Sequence, residues 1–445
     1  MLSRLITSIV FLFFFSGAAS AQKFWTLQEC IMHARTNNIN IKQAAISSEL
    51  ARVSRDQSYT TMLPTVNGSS SHQRSFGRSV DPFTNSITEN ETRTTNFSLS
   101  SNVTLFAGLR LQHSLAQSKY EYLQSQENLA KISNDISLNV AAAYLQVLFS
   151  MESLKLARDR VNAATETRNR TAKMVETGMM AQGNLLDAEA ALASEELGLV
   201  NAENSLNSAN IAISQLLELE NAMEFSIAPQ QVDIPVQSSL MMKPEEIYAA
   251  SLKTLPEIRA SEYGISSAQK GLSSAKSGLF PSLNLFSSVG TFYNEGGYTQ
   301  LLGEIPFEEQ VRNNQSKSFG LSLSIPLFNG WSVQSNIQRS RLNLENAMLQ
   351  DELARKQVYK SVVQAHADAT AGMNRFNASS KARNSADEAF NYAQRKYDVG
   401  LISFIEFINI RNNKSRAESE LIQSKYDLIF RLKVLDFYLG KTLTF

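Results

Sequence analysis

The chain has 445 residues, 43% of them apolar and 19% charged, enough to bury a core over about three average domains. Forty-two basic residues balance forty-two acidic ones, so no electrostatic footprint for a nucleic-acid partner exists. One cysteine and four histidines exclude a disulfide framework and the common zinc patterns, and nine prolines with nineteen glycines favour long uninterrupted elements.

The chain opens with Arg4, an apolar run from Leu5 to Phe15, and the small-x-small site Ala19-Ser20-Ala21. Residues 1–21 are therefore expected to be a secretory signal peptide, with the mature chain starting at Gln22. A membrane anchor needs about 18 apolar residues, and this run has eleven. Cys30 lies too far past the cut to be a lipidated first residue, and reads as a half-buried thiol on a helix. After Gln22 no stretch reaches transmembrane-helix length; the best is Val140 to Phe149. An exported chain of this kind is periplasmic, secreted, or a β-barrel of the outer membrane.

The mature chain is written twice. Phe97 to Gly108 (FSLSSNVTLFAG) has a partner at Phe319 to Gly330 (FGLSLSIPLFNG), an offset of 222 (319 minus 97) that also carries Gly178 onto Gly400. Upstream, Leu63-Pro64 maps onto Phe280-Pro281 with an offset of 217. The two repeats are 22–243 and 244–445, each reading helix, two strands, long helix, helix.

The predicted helices begin with about Leu27 to Met62 and, in the second half, Pro244 to Leu279. The long helices run from about Leu109 to Thr177 and Trp331 to Val399. In the first, Leu129, Ile132, Ile136, Val140, Ala143 and Val147 recur at steps of three and four, a coiled-coil-like seam. A rod of that length spans roughly 100 Å. Gly178 and Gly400 end the rods, as glycine does past a helix C-terminus. Returning helices follow at about Asn184 to Leu219 and Phe404 to Leu439.

The strands carry the membrane signal. Phe97, Leu99, Val103 and Leu105 alternate with Ser98, Ser100, Asn102 and Thr104, and Phe319, Leu321, Leu323, Ile325 and Leu327 alternate with small or polar residues. That pattern suits a transmembrane strand with lipid on one side and water on the other. Partner strands near Thr65 to Ser71 and Ser282 to Phe292 alternate less clearly. The polar loops Phe76 to Thr95 and Tyr293 to Ser318 join each pair on the extracellular side. Four strands cannot close a barrel, and an open edge in lipid leaves backbone groups unsatisfied, so several chains must share one.

Read together, these residues resemble the TolC-like outer-membrane efflux protein family over essentially the whole mature chain. The resemblance rests on Trp25 to Cys30 with Ala34 and Asn37-Asn38, on Leu63-Pro64 and Phe280-Pro281, and on the doubled corner Leu105-Phe106-Ala107-Gly108 and Leu327-Phe328-Asn329-Gly330. Tyr397 to Leu401 resembles the periplasmic tip. The family implies a mainly α fold with a transmembrane β-barrel portion. Long helical hairpins form a periplasmic tunnel, and four strands per chain complete a trimeric 12-stranded barrel. It implies a homotrimer in outer-membrane lipid, docked to a periplasmic membrane-fusion adaptor and an inner-membrane transporter. The function implied is the passive exit duct of a tripartite efflux or type I secretion system. The alternative is an exported coiled-coil structural or adhesin protein without a channel.

Family members close the tunnel with acids six and nine residues after the tip glycine. Those places are Glu406 and Asn409 in the second half, and Asn184 and Asp187 in the first. The family's constriction arginine is replaced by Ile402. The pore-constriction candidates are thus Glu406, Asp187, Asn409 and Ile402. The adaptor-docking candidates are the tips, Gly178, Met179, Val399, Gly400 and Leu401, where Met180, Ile402 and Phe404 would also expose apolar surface. No Gly-rich phosphate loop, GxSxG elbow or HExxH helix is present, so neither an enzyme, a cofactor nor a metal site is expected.

Overall fold

The computed structural model describes residues 24–80, 85–88, 91–221, 225–227, 234, 239–295, 298–299 and 303–442. The expected signal peptide and the start at Gln22 lie outside the described residues.

Nine helices and four long strands carry the described fold. In the first half they are α1 (Leu27–Asn37), α2 (Ile39–Thr60), β1 (Thr65–Ser75), β2 (Thr92–Ala107), α3 (Arg110–Glu176) and α4 (Gln182–Leu216). In the second they are α5 (Pro244–Thr254), α6 (Pro256–Lys276), β3 (Ser282–Glu295), α7 (Phe307–Asn313), β4 (Ser316–Ser324), α8 (Ser332–Asp398) and α9 (Phe404–Tyr438). Both long helices have 67 residues, about 100 Å each. The ends of α3 and α4 fall on the ends of α8 and α9 at the offset of 222 read from the strand motifs.

The chain divides into two compact units, each drawing on both halves. One comprises the described residues of 24–45, 128–258 and 354–442; the other comprises those of 46–127 and 259–353.

The first unit is helical and holds the buried core. Thr26 starts α1 through a capping box, its hydroxyl accepting from Glu29 N while Thr26 N donates to the Glu29 carboxylate. Leu27, Cys30, Ile31 and Ala34 of α1 pack on Ile136, Val140, Tyr144 and Val147 of α3 and on Ile213 of α4. Cys30 is fully buried, not half-buried, because its helix position points straight into this seam. A second cluster joins Ile247 and Ile258 to Val358, Val362 and Ala369 of α8 and to Leu428, Leu432 and Leu435 of α9.

Two expectations are corrected here. The single helix expected from Leu27 to Met62 is two helices, and so is its counterpart from Pro244 to Leu279. Asn38 breaks the first with ψ of 130°, and Leu255 breaks the second with ψ of 129°. Leu255 cannot stay helical because Pro256 follows it. Asn38 is held by its side chain, which accepts from Asn40 N at 3.0 Å as an N-cap for α2 and donates to Leu216 O at 3.0 Å. In the second half Ser251 Oγ donates to Tyr438 O at 2.9 Å, so the last turns of α4 and α9 are capped at equivalent carbonyls. Second, a stretch of α3 is long and apolar enough by composition to cross a membrane. The sequence expectation counted contiguous apolar residues and missed it; in the fold Val140, Ala141, Tyr144, Leu145 and Leu148 of α3 are core residues.

The second unit holds the sheet, ordered β4-β3-β2-β1 and antiparallel throughout. The loops are more structured than expected. Short hairpins pair Ser79–Val80 with Ile87–Thr88 and Tyr298–Thr299 with Gly303–Glu304. The second loop also forms α7, started by Pro306.

Candidate functional site: a two-faced wall and a pair of helical tips

Strand register decides which side chains share a face. Gly68, Leu99, Val289 and Lys317 form one row across the four strands, and Val66, Ser101, Ser287 and Phe319 the next. On this face Val103, Leu285 and Leu321 follow, then Leu283 and Leu323. These apolar side chains are exposed or half-buried. The opposite face is polar. Its rows include Ser69, Ser98, Gly290 and Ser316; Asn67, Ser100, Ser288 and Ser318; and Thr104, Asn284 and Ser322, with Phe286 and Phe292 the two aromatic side chains among them. Ser69 and Ser98 hydroxyls meet at 2.7 Å, Ser288 and Ser318 at 2.8 Å, and Thr104 Oγ1 donates to Asn284 Oδ1 at 2.9 Å. None of the paired residues on this polar face is charged.

The apolar face is bounded at both ends. Toward the loops, Arg93 pairs with Glu91 at 2.7 Å and with Glu295 at 3.1 Å, and Arg74 also pairs with Glu91. Just inside that belt Phe307 of α7 meets Tyr293 at 5.1 Å and Phe97 at 6.4 Å, both edge-on. Thr291 Oγ1 donates to Val311 O, and buried Gln310 exchanges two hydrogen bonds with the Asn294 backbone, so α7 is fastened to β3. At the other end Phe106, Phe280, Phe328 and Trp331 are exposed. An apolar band of about ten residues between aromatic girdles is what a lipid-facing strand requires. The partner strands β1 and β3, whose alternation was weak in sequence, take their faces from register with β2.

The tips belong to the helical unit. Each rod ends in the same turn: Gly178 N donates to Val175 O and Met179 N to Met174 O, while Gly400 N donates to Tyr397 O and Leu401 N to Lys396 O. Gly178 and Gly400 have φ of 76° and 74°. Ser403 then caps α9, accepting from Glu406 N at 3.2 Å.

Packing separates the candidate residues into two groups. Phe404 and Phe407 are buried with Tyr397, Ala393 and Ala188, and half-buried Met180 and Ile402 pack against them. Phe404, Met180 and Ile402 therefore do not present the open apolar surface expected of them, because they hold one hairpin to the other. Met179, Val399 and Leu401 are exposed. Glu406 and Asn409 are exposed three residues apart on α9, and Asp187 is exposed on α4. Glu406 stands at the place of Asn184, and Asp187 at the place of Asn409, so each hairpin supplies one carboxylate and one amide.

Sequence reasoning missed the polar frame behind these tips. Arg170 pairs with Asp398 at 2.6 Å and joins α3 to the end of α8. Lys414 pairs with Asp387 at 2.7 Å and lies over the Phe390 ring, holding the Asp387 carboxyl below its usual range. Arg411 is buried near Glu195 at 4.0 Å, and burial lowers its pKa. No motif marked these residues; their pairing depends on which helices meet.

Among the described residues no group of His, Cys, Asp or Glu is arranged to hold a metal ion. The sequence profile described as outer membrane efflux protein matches residues 30–218 and 247–441. The chain is 22% identical to the outer membrane protein TolC of Escherichia coli over 427 residues, 93% of this chain and 82% of that protein. It is 22% identical to the toluene efflux pump outer membrane protein TtgC of Pseudomonas putida, over 92% of this chain and 82% of that one. Its fold matches the solved structure of CusC with a TM-score of 0.79 at 18% identity, covering 94% of this chain and 92% of that one. The outer membrane protein VceC of Vibrio cholerae matches with a TM-score of 0.77 at 15% identity, covering 93% and 96%. The profile spans both halves of the chain, the fold carries the two-faced strands an outer-membrane location demands, and the chain therefore belongs to the outer membrane efflux protein family.

Proposed function

We propose that this outer-membrane efflux protein is the passive exit duct of a tripartite efflux or type I secretion system. It acts as a homotrimer, without enzymatic activity, fed by an inner-membrane transporter through a periplasmic membrane-fusion adaptor. One observation carries the assembly: a four-stranded sheet with an apolar face, an uncharged polar face, and two edges, β1 and β4, that have no partner strand among the described residues. In lipid those edges must pair, and the outer strands run antiparallel to each other, so copies can join edge to edge into a closed barrel. Three copies give twelve strands. Exposed apolar residues on the helices of the same unit, Leu50 and Val53 on α2 and Leu342, Leu349 and Leu353 on α8, support burial between copies.

The repeats 22–243 and 244–445 place two hairpin tips on each chain, hence six around a threefold axis. Glu406 and Asp187 then form rings of carboxylates at the tunnel mouth, with Asn409 beside them and Ile402 packed behind. Gly178, Met179, Val399, Gly400 and Leu401 are the exposed turns offered to the adaptor. Native mass spectrometry in mild detergent tests the assembly. Trimers are expected; a stable monomer or dimer that still conducts would overturn it.

A further inference from the structure

The polar face of the sheet carries a large apolar side chain in its middle. Thr65, Asn102, Phe286 and Gly320 stand in one row across the four strands. The rows on either side pair Ser288 with Ser318 and Asn284 with Ser322. A hydroxyl or amide facing a serine would continue the pattern, yet both strands depart from it at the same row. The departures fit each other. A Cβ built on Gly320 would lie 2.8 Å from Cζ of Phe286 and 3.2 Å from Cε1, so the ring covers the backbone of β4 where the missing side chain would be.

Covering a strand glycine accounts for one side of the ring. The other side is open, since Phe286 is 41% exposed. Its neighbours there, Asn102, Asn284, Ser288 and Ser322, are uncharged. A phenyl face among neutral hydrogen-bonding groups offers apolar contact and a negative quadrupole without competing charge. Phe292, the other aromatic on this face, is half-buried near the loop end, and Asn314 donates to its carbonyl oxygen at 2.9 Å.

We infer that Phe286 is a specificity contact in the barrel lumen for cargo that is aromatic or a lipophilic organic cation. Three copies put three phenyl faces at one height on the wall. This inference rests on the trimeric duct proposed above. Small hydrated ions pass such a ring without interaction, because the surrounding wall is neutral and wet. An organic cation sheds water onto the ring and is held longer.

Tetraphenylphosphonium is the probe, with tetraethylammonium as the non-aromatic control. Wild-type protein, Phe286→Ser and Phe286→Leu are compared by channel block in planar bilayers and by equilibrium binding to the detergent-solubilised trimer. Phe286→Ser is expected to shorten tetraphenylphosphonium block and weaken binding about threefold, the size of an exposed cation–π contact. Tetraethylammonium, an organic cation with no ring of its own, should lose only the cation–π part of the contact and so weaken less, while potassium conductance should stay as in the wild type. Phe286→Leu keeps an apolar cover on Gly320 while removing the π face, and should show part of the loss; it carries the test if Phe286→Ser fails to assemble. Equal tetraphenylphosphonium block and binding in all proteins would reduce Phe286 to a cover for Gly320. Wild-type protein that does not conduct would count against the duct, and the binding comparison would still decide the ring.

Discussion

Tyr397 and Phe407 stack face to face, with ring centroids 4.6 Å apart and planes 10° from parallel. One residue ends α8 and the other lies in the first turns of α9, so the stack closes the hairpin across its own turn. Phe404 at 6.0 Å and Phe390 at 5.8 Å complete an aromatic plug. Phe407 is 2% exposed, and its truncation to alanine costs about 3–5 kcal/mol by the usual scale for a buried ring. The cost falls on the tip, because the two larger core clusters do not include it. Phe407→Ala is expected to speed limited proteolysis between residues 398 and 404 and leave the trimer intact on native gels. Unchanged cleavage would mean that the turn is held by something else.

The turn itself depends on Gly400. Its φ of 74° lies in the left-handed region, and no atom stands within 4 Å of where a Cβ would be. Any penalty is therefore backbone strain, about 1–2 kcal/mol, and largest for a β-branched residue. Gly400→Val should reduce adaptor crosslinking at the tip and export, with normal trimer level, while Gly400→Asn should retain both. Full crosslinking and export in the valine variant would remove the tip as the docking surface.

Ion selectivity should reside at the tips. The polar wall of the sheet has no charged residue among its paired positions, so it cannot sort ions by sign. Carboxylates ringed in a narrow mouth attract cations. Reconstituted channels should prefer cations, and Glu406→Gln should move the reversal potential in a salt gradient toward zero and weaken block by multivalent cations. An effect of Asp187→Asn alone would assign the filter to the first-half ring. If neither variant changes anything, the constriction lies at Ile402 and its neighbours.

Asn38 ties the break between α1 and α2 to the end of α4 and is 3% exposed. Replacing it with alanine removes the cap of α2 and leaves the Leu216 carbonyl without this donor. Asn38→Ala should lower stability by about 1–2 kcal/mol in thermal unfolding followed by far-ultraviolet circular dichroism. A neutral result would show that the break is set by packing alone.

Glu257, in the first turn of α6, has its carboxyl pKa raised above the ordinary value by burial. The folded state then holds the proton more tightly than the unfolded state. Stability contributed at this position falls as pH rises from the unfolded value, about 4.3, through the raised folded value. The cost is fully present at neutral pH. Glu257→Gln should therefore raise the unfolding midpoint at pH 7, and the gain should shrink as pH falls toward 4. A gain independent of pH would exclude burial of the charge as its cause.

Much of the fold was legible because its signals are local. The offset of 222 gave the matching ends of α3 and α8 without coordinates, since a repeated sequence meets the same turn chemistry twice. The faces of β2 and β4 followed from alternation with period two, a property of a single strand. The candidate site was legible only in part. Glycine and the residues counted from it located the tips, but the burial of Phe404 and the half-burial of Ile402 required knowing which hairpin lies against which.

The sequence by itself determined the repeat, the length of the rods, the strands with their lipid and water sides, and the positions of Glu406 and Asp187 relative to their turns. Tertiary structure decided the break at Asn38, the burial of Cys30, the fastening of α7 to β3, and the placement of Phe286 on the polar face over Gly320. The division has a physical cause. Period, turn and cap are written within a few consecutive residues, whereas register and burial depend on a partner that stands tens or hundreds of residues away and on the space it leaves.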